Sequence, residues 1–248
     1  MKQLIALFSL GFLLSNCSQS SKEPVSFQPD LKPSDYMFMQ RAYPSGEINS
    51  KATILASRQS QSKTSQADDL SSRVWEFAGP YNIGGRITDM EIPVDESRVY
   101  YVGAASGGIF KTTDSGGTWN PIFDEQASLS IGDIEISKSD TDIIWVGTGE
   151  VNAGGGSLAY DGDGVYLSDD AGATWTNKGL NNVGSISKVA IDPNDNETVY
   201  VATMGPLFEN DNSRGIYKTI DNGDNWDQVL YVSDSTGIID LIFHPTNS

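Results

Sequence analysis

Thr112-Thr113-Asp114-Ser115-Gly116-Gly117-Thr118-Trp119 returns as Ser168-Asp169-Asp170-Ala171-Gly172-Ala173-Thr174-Trp175. It returns again as Thr219-Ile220-Asp221-Asn222-Gly223-Asp224-Asn225-Trp226. The aspartates lie 56 and 51 residues apart. A period of about 50 residues that carries strand-like segments marks a blade array. The surrounding sequence keeps the same order in each copy. A period-2 segment opens it: Arg86 to Ile92, Gly132 to Ile136, Ser187 to Ile191. A β-rich run follows at Val99–Val102, Ile143–Val146 and Thr198–Val201. Gly-apolar-aromatic comes next, at Gly108-Ile109-Phe110, Gly164-Val165-Tyr166 and Gly215-Ile216-Tyr217. A short strand closes each copy at Pro121–Phe123, Thr176–Leu180 and Asp227–Leu230. Four short strands per repeat, punctuated by Gly, Asn and Asp, predict an all-β chain, a β-propeller of four-stranded blades.

The repeated box has a structural reading. Gly116, Gly172 and Gly223 permit the positive φ of a tight turn. Asp114, Asp170 and Asp221 can accept hydrogen bonds from turn N–H groups. Trp119, Trp175 and Trp226 supply apolar area to lock each hairpin onto its blade. A calcium site is the rival use of these carboxylates.

The boxes resemble the Asp-box (BNR) repeat of sialidases, sortilin-type domains, plant-type photosystem assembly factors and xyloglucanase-type glycoside hydrolases. Four further stretches narrow the resemblance: Gly79–Arg86, Tyr101–Gly108, Gly147-Thr148-Gly149-Glu150 and Arg214–Thr219. They look like the sortilin/xyloglucanase-like secreted proteins of Bacteroidetes-type bacteria. The resemblance runs from about Trp75 onward and implies a propeller with Asp-box hairpins. It also implies where chemistry would sit. Xyloglucanase-type members carry a catalytic Asp in the stretch corresponding to Ala104-Ala105-Ser106-Gly107-Gly108, where this chain has Ala105. Glycoside hydrolysis by the common route needs two carboxylates, and alanine supplies neither an acid nor a base.

The remaining candidates lie in loops. Glu150 ends the second strand of its repeat, and with Asn152 it could reach the mouth of the central channel. A solvated loop carboxylate is the simpler reading of Glu150. Arg86 follows Gly84-Gly85 and suits a bidentate grip on a carboxylate, or a strand-end ion pair. Asp161 and Asp163 suggest part of a calcium loop, but the other ligands of an EF-hand are missing, and a Gly-rich turn before the third strand accounts for them. His244 is the one histidine and precedes Pro245. Without Cys/His clusters no metal site of the usual type, no cofactor and no nucleophilic triad is expected.

The start of the chain speaks to location. Lys2 precedes an apolar run, Leu4 to Leu14, that is too short to span a bilayer and reads as a signal peptide over 1–16. Leu14-Ser15-Asn16-Cys17 resembles a bacterial lipobox, with Asn16 where Gly or Ala is usual. An unpaired cysteine in an exported protein calls for a role, so Cys17 is read as the lipidated N-terminus, with ordinary signal cleavage as the alternative. That places the protein in the cell envelope as an outer-membrane lipoprotein, held through its acyl chains alone. Residues 17–72 read as lipidated cysteine, polar tether and two short helices, at Tyr36–Arg41 and Ile48–Gln59. Ser60 to Ser72 is loop-like, and Trp75-Glu76-Phe77 is a lone strand that could close the ring. The propeller occupies 73–248. It holds three blades and the start of a fourth at Ile239–Phe243, so the chain is read as the N-terminal fragment of a longer protein.

The formal net charge is −17, and −18 once Lys2 leaves with the signal peptide. That disfavours nucleic acid, whose phosphates need clustered Lys and Arg, and an electrostatic grip on anionic lipid. Three functions stay open: a module that binds a glycan or protein ligand, a xyloglucanase-like hydrolase, and a sortilin-like peptide-binding or assembly domain.

Overall fold

The computed structural model describes residues 33–64, 84–151 and 159–244. Cys17, Trp75-Glu76-Phe77 and Asn152 lie outside the described residues. Among the described residues two helices, α1 (Pro33–Ala42) and α2 (Ser50–Thr64), precede twelve strands. Thus α2 runs on past Ser60, where the sequence reads as loop. Neither helix is long and apolar enough to cross a membrane.

The strands form three antiparallel four-stranded sheets, each in simple sequential order. Blade one holds β1 (Ile87–Glu91), β2 (Tyr100–Ala104), β3 (Gly108–Thr112) and β4 (Asn120–Pro121). Blade two holds β5 (Ile131–Ile136), β6 (Ile144–Gly149), β7 (Asp161–Ser168) and β8 (Thr176–Asn177). Blade three holds β9 (Ser185–Asp192), β10 (Asp195–Gly205), β11 (Gly215–Thr219) and β12 (Asp227–Leu230). These are blades of a β-propeller. Asp161 and Asp163 therefore stand inside β7 rather than in a turn ahead of it.

The core lies between blades. Ile131 and Ile134 of β5 pack with Tyr101 and Ile109 of blade one, while Ile186 and Val189 of β9 pack with Trp145 and Val165 of blade two. The close approach depends on glycine. A Cβ on Gly103 would stand 2.7 Å from Ile131 Cγ2, and one on Gly147 2.3 Å from Ile186 Cγ2. Carboxylates on the opening strands add a polar staple. Asp89 Oδ2 accepts the Ile134 N–H and Asp133 Oδ2 accepts the Val189 N–H, both at 2.8 Å. Blade three has Lys188 at the matching place, and its Nζ reaches back 2.9 Å to Asp133 Oδ1. Ile131, Ile134, Ile186 and Val189 are all fully buried. Their blade-one counterparts Ile87 and Met90 are 54% and 55% exposed, having no preceding blade among the described residues.

The three boxes share one hydrogen-bond pattern. The leading Thr112, Ser168 or Thr219 hydroxyl accepts the N–H of the box glycine and donates to the aspartate. The aspartate also accepts the backbone N–H and the side chain of Thr118, Thr174 or Asn225. Gly116, Gly172 and Gly223 have φ of 89°, 86° and 81°, as the turn requires. These bonds hold Asp114, Asp170 and Asp221 down at about 2, led by the Thr118 N–H and by the Thr174 and Asn225 side chains.

The tryptophans do something other than lock a hairpin onto its own blade. Trp175 Nε1 donates to Ile122 O of blade one at 2.8 Å, and its ring meets Phe123 edge-on at 5.1 Å. Trp226 Nε1 donates to Lys178 O of blade two, and its ring meets Trp145 edge-on at 6.1 Å. Each indole thus joins its blade to the one before. Trp119 has no such neighbour among the described residues and is 41% exposed.

The start of the fourth unit, 237–244, lies along blade three. Ile238 N donates to Thr203 O, Ser187 Oγ donates to Ile238 O, and Phe243 meets Tyr200 edge-on. It has no ladder partner among the described residues and carries no strand.

Candidate functional site

Antiparallel order sends the boxes to one end of the blades and the β2–β3, β6–β7 and β10–β11 connections to the other. This second end carries Arg86, Ala105, Glu150, Asp161 and Asp163. Arg86 directly precedes β1, and Glu150 directly follows β6. Their side chains meet, with Arg86 Nη2 donating to Glu150 Oε2. Glu150 is fully buried rather than solvated, while the Arg86 side chain stays 41% exposed. The hydrogen bond to Glu150 raises Arg86 above its ordinary value. Among the described residues Glu150 Oε1 has no hydrogen-bond partner.

Ser130, just before β5, ties this pair to both blades. Its hydroxyl donates to Ala105 O at 2.8 Å and accepts the Glu150 N–H at 2.9 Å. The Ala105 N–H donates to Arg86 O. Ala105 is 4% exposed and brings no functional group to the face. The arrangement offers one buried carboxylate, one half-exposed guanidinium and backbone dipoles. It can grip a polar or anionic ligand group through Arg86. A second carboxylate beside Glu150 is absent from this network of described residues.

A second carboxylate site on the same face centres on Asp163, whose partners the local sequence does not show. Asp163 is 1% exposed. Its oxygens accept the Tyr166 hydroxyl at 3.0 Å and the Asn181 amide at 3.1 Å. They also accept both ends of the Arg58 guanidinium from α2, at 3.2 and 2.5 Å. Burial, then the nearby Asp163 charge, push the Tyr166 hydroxyl up to about 12, with Asn177 opposing. Arg41 of α1 donates to Ala159 O at 2.9 Å and lies over the Tyr160 ring at 4.2 Å, with Phe208 at 5.5 Å. Further out, Gln61 donates to Glu125 O and Lys51 faces Glu209. The two helices thus lie across the loop end of the blades. A cavity of about 610 Å³ remains beneath α2, walled by Lys51, Arg58, Asp161, Asp163, Asn182 and Phe208.

No protein-family model matches the sequence, and no curated protein matches it. Among solved structures the chain is similar to an ancestral GH74 enzyme, with a TM-score of 0.50 and 17% identity, over 67% of this chain and 21% of that one. It is also similar to the GH74 enzyme of Niastella koreensis, with a TM-score of 0.43 and 20% identity, over 56% and 20% of the two chains. YCF48 from Cyanidioschyzon merolae matches with a TM-score of 0.41 and 18% identity, over 63% and 41%. The chain spans about one fifth of these two GH74 enzymes. At such identity the likeness to the first of these carries the propeller fold and nothing about chemistry.

Proposed function

We propose that this chain is an exported, lipid-anchored propeller module that binds a glycan or protein ligand at the loop end of its blades. The observation that carries the reading is the Arg86–Glu150 pair beside Ala105. Arg86 presents donors to a ligand, whereas the position where resembling hydrolases keep a carboxylate is alanine. A two-carboxylate hydrolysis lacks one partner there. The repeated turns are read as Asp-box turns, and Cys17 as the acylated anchor.

The test uses the full chain with xyloglucan and a panel of β-glucans, reading retention on affinity gels beside release of reducing ends. Retention without turnover, weakened by Arg86→Ala, is the expected result. Turnover that vanishes in Glu150→Gln would establish the hydrolase alternative instead. Labelling by a fatty-acid probe, lost in Cys17→Ala, checks the anchor. Unchanged detergent partitioning of that variant sinks it.

A further inference from the structure

We propose that the loop end of the blades is a docking surface for an arginine-bearing basic segment of a partner protein, and that α1 and α2 occupy it in cis as a displaceable strap. This rests on reading that face as the binding face, but it uses different residues from the Arg86–Glu150 pair.

None of the described side chains of α2 is buried, and Leu55 is 56% exposed. Among the described side chains of α1, Ala42 is buried and Met37, Phe38 and Met39 are partly buried. α2, which hides so little apolar surface, gains little from the hydrophobic effect. The directional contacts described between the two helices and the blades are polar, and each helix contributes an arginine. Arg58 makes a two-point bond to Asp163, and Arg41 stacks on Tyr160 while donating to Ala159 O.

The receptor side is different in kind. Asp163 sits within β7, fixed by the Tyr166 hydroxyl, by Asn181 and by a 2.7 Å bond from its own N–H to Thr148 Oγ1. The niche is therefore built by the sheet and does not depend on α2. A buried carboxylate that loses its cation is strongly disfavoured, so the niche demands a cationic partner whenever the strap lifts. A guanidinium meets that demand best, because its planar fork matches a carboxylate at two points. Tyr160 and Phe208 form a second seat for a flat cation. The cavity beside Asp163 gives room for the rest of a segment, and Asp161 and Glu209 line it with further negative charge. A chain of net charge −17 also draws a basic partner by long-range attraction.

The experiment compares the full chain with its Arg41→Gln/Arg58→Gln double variant. Both changes lie outside the blades, and thermal melting verifies that the propeller stays folded. Hydrogen exchange over 50–64 should be faster in the double variant. Exchange equal to the parent overturns the strap. The binding probe is a fluorescent peptide of residues 50–64. It should bind the double variant at least ~10-fold more tightly than the parent, the scale expected for a charge-assisted two-point bond freed of competition. The same peptide carrying Arg58→Gln should bind at least ~10-fold more weakly than the arginine peptide. Equal binding of the two peptides, or none of either, overturns the arginine niche. Dimerisation of the parent through exchanged straps, read by light scattering, would replace the partner protein with a second copy. Should the double variant bind a glycan but neither peptide, the arginine proposal fails while the module reading stands.

Discussion

Trp175→Ala tests whether the repeated indole joins blades or merely closes a hairpin. Removing a fully buried Trp costs about 3–5 kcal/mol. Trp175 is half-buried, so its apolar share is smaller. The change also deletes the Nε1 bond to Ile122 O, about 1 kcal/mol, and the edge contact with Phe123, about 0.5–1.5 kcal/mol. The expected loss is about 2–4 kcal/mol, or about 4–16 °C in melting temperature for a chain of this size. Trp119 occupies the same box position with no preceding blade among the described residues and is 41% exposed. Trp119→Ala should therefore cost under about 1 kcal/mol. Trp175→Phe keeps the ring contact and drops the hydrogen bond, for about 1 kcal/mol. Urea unfolding followed by far-ultraviolet circular dichroism reads all three. Equal midpoints for Trp119→Ala and Trp175→Ala would refute the inter-blade account, because a purely local role predicts equal losses.

Gly147→Ala places a methyl 2.3 Å from Ile186 Cγ2, so blades two and three must part. A loss of about 1–3 kcal/mol in urea is expected, and a neutral result would mean that the interface is loose. Asp170→Asn should lower the urea midpoint by less than Trp175→Ala. Because Asp170 falls from 3.8 to about 2 on folding, its contribution is full above pH 4 and fades toward pH 2. The gap between Asp170→Asn and parent should close over that range, and a gap independent of pH contradicts the turn bonding. Burial, then the neighbouring Glu135 and Asp89, push Glu91 up to about 7. A raised acid weakens the fold progressively as pH rises from 4.5 through 7, so Glu91→Gln should gain stability over the parent across that window. A constant difference from pH 4 to 8 would count against it.

The sequence by itself determined the architecture. Box spacing, the aromatic four residues before each box aspartate, and alternating apolar runs are local and repeated, and each survives as a turn or a strand. The box aspartate needed no more than its own turn, since its described hydrogen-bond partners lie within four residues. Tertiary structure alone decided the rest. The partner of Trp175 is a carbonyl 53 residues away, so the sequence shows the indole but not which blade receives it. Glu150 follows a glycine like any loop carboxylate, and only the arrival of Arg86 and Ser130 from the approaches to β1 and β5 makes it a buried, paired group. Arg58 and Asp163 are 105 residues apart. A polar helix with no apolar stripe announces no docking face, because what seats it is a two-point ionic contact with a niche assembled by distant strands. Periodic burial writes itself into sequence at short range, while single long-range polar contacts leave no period to read.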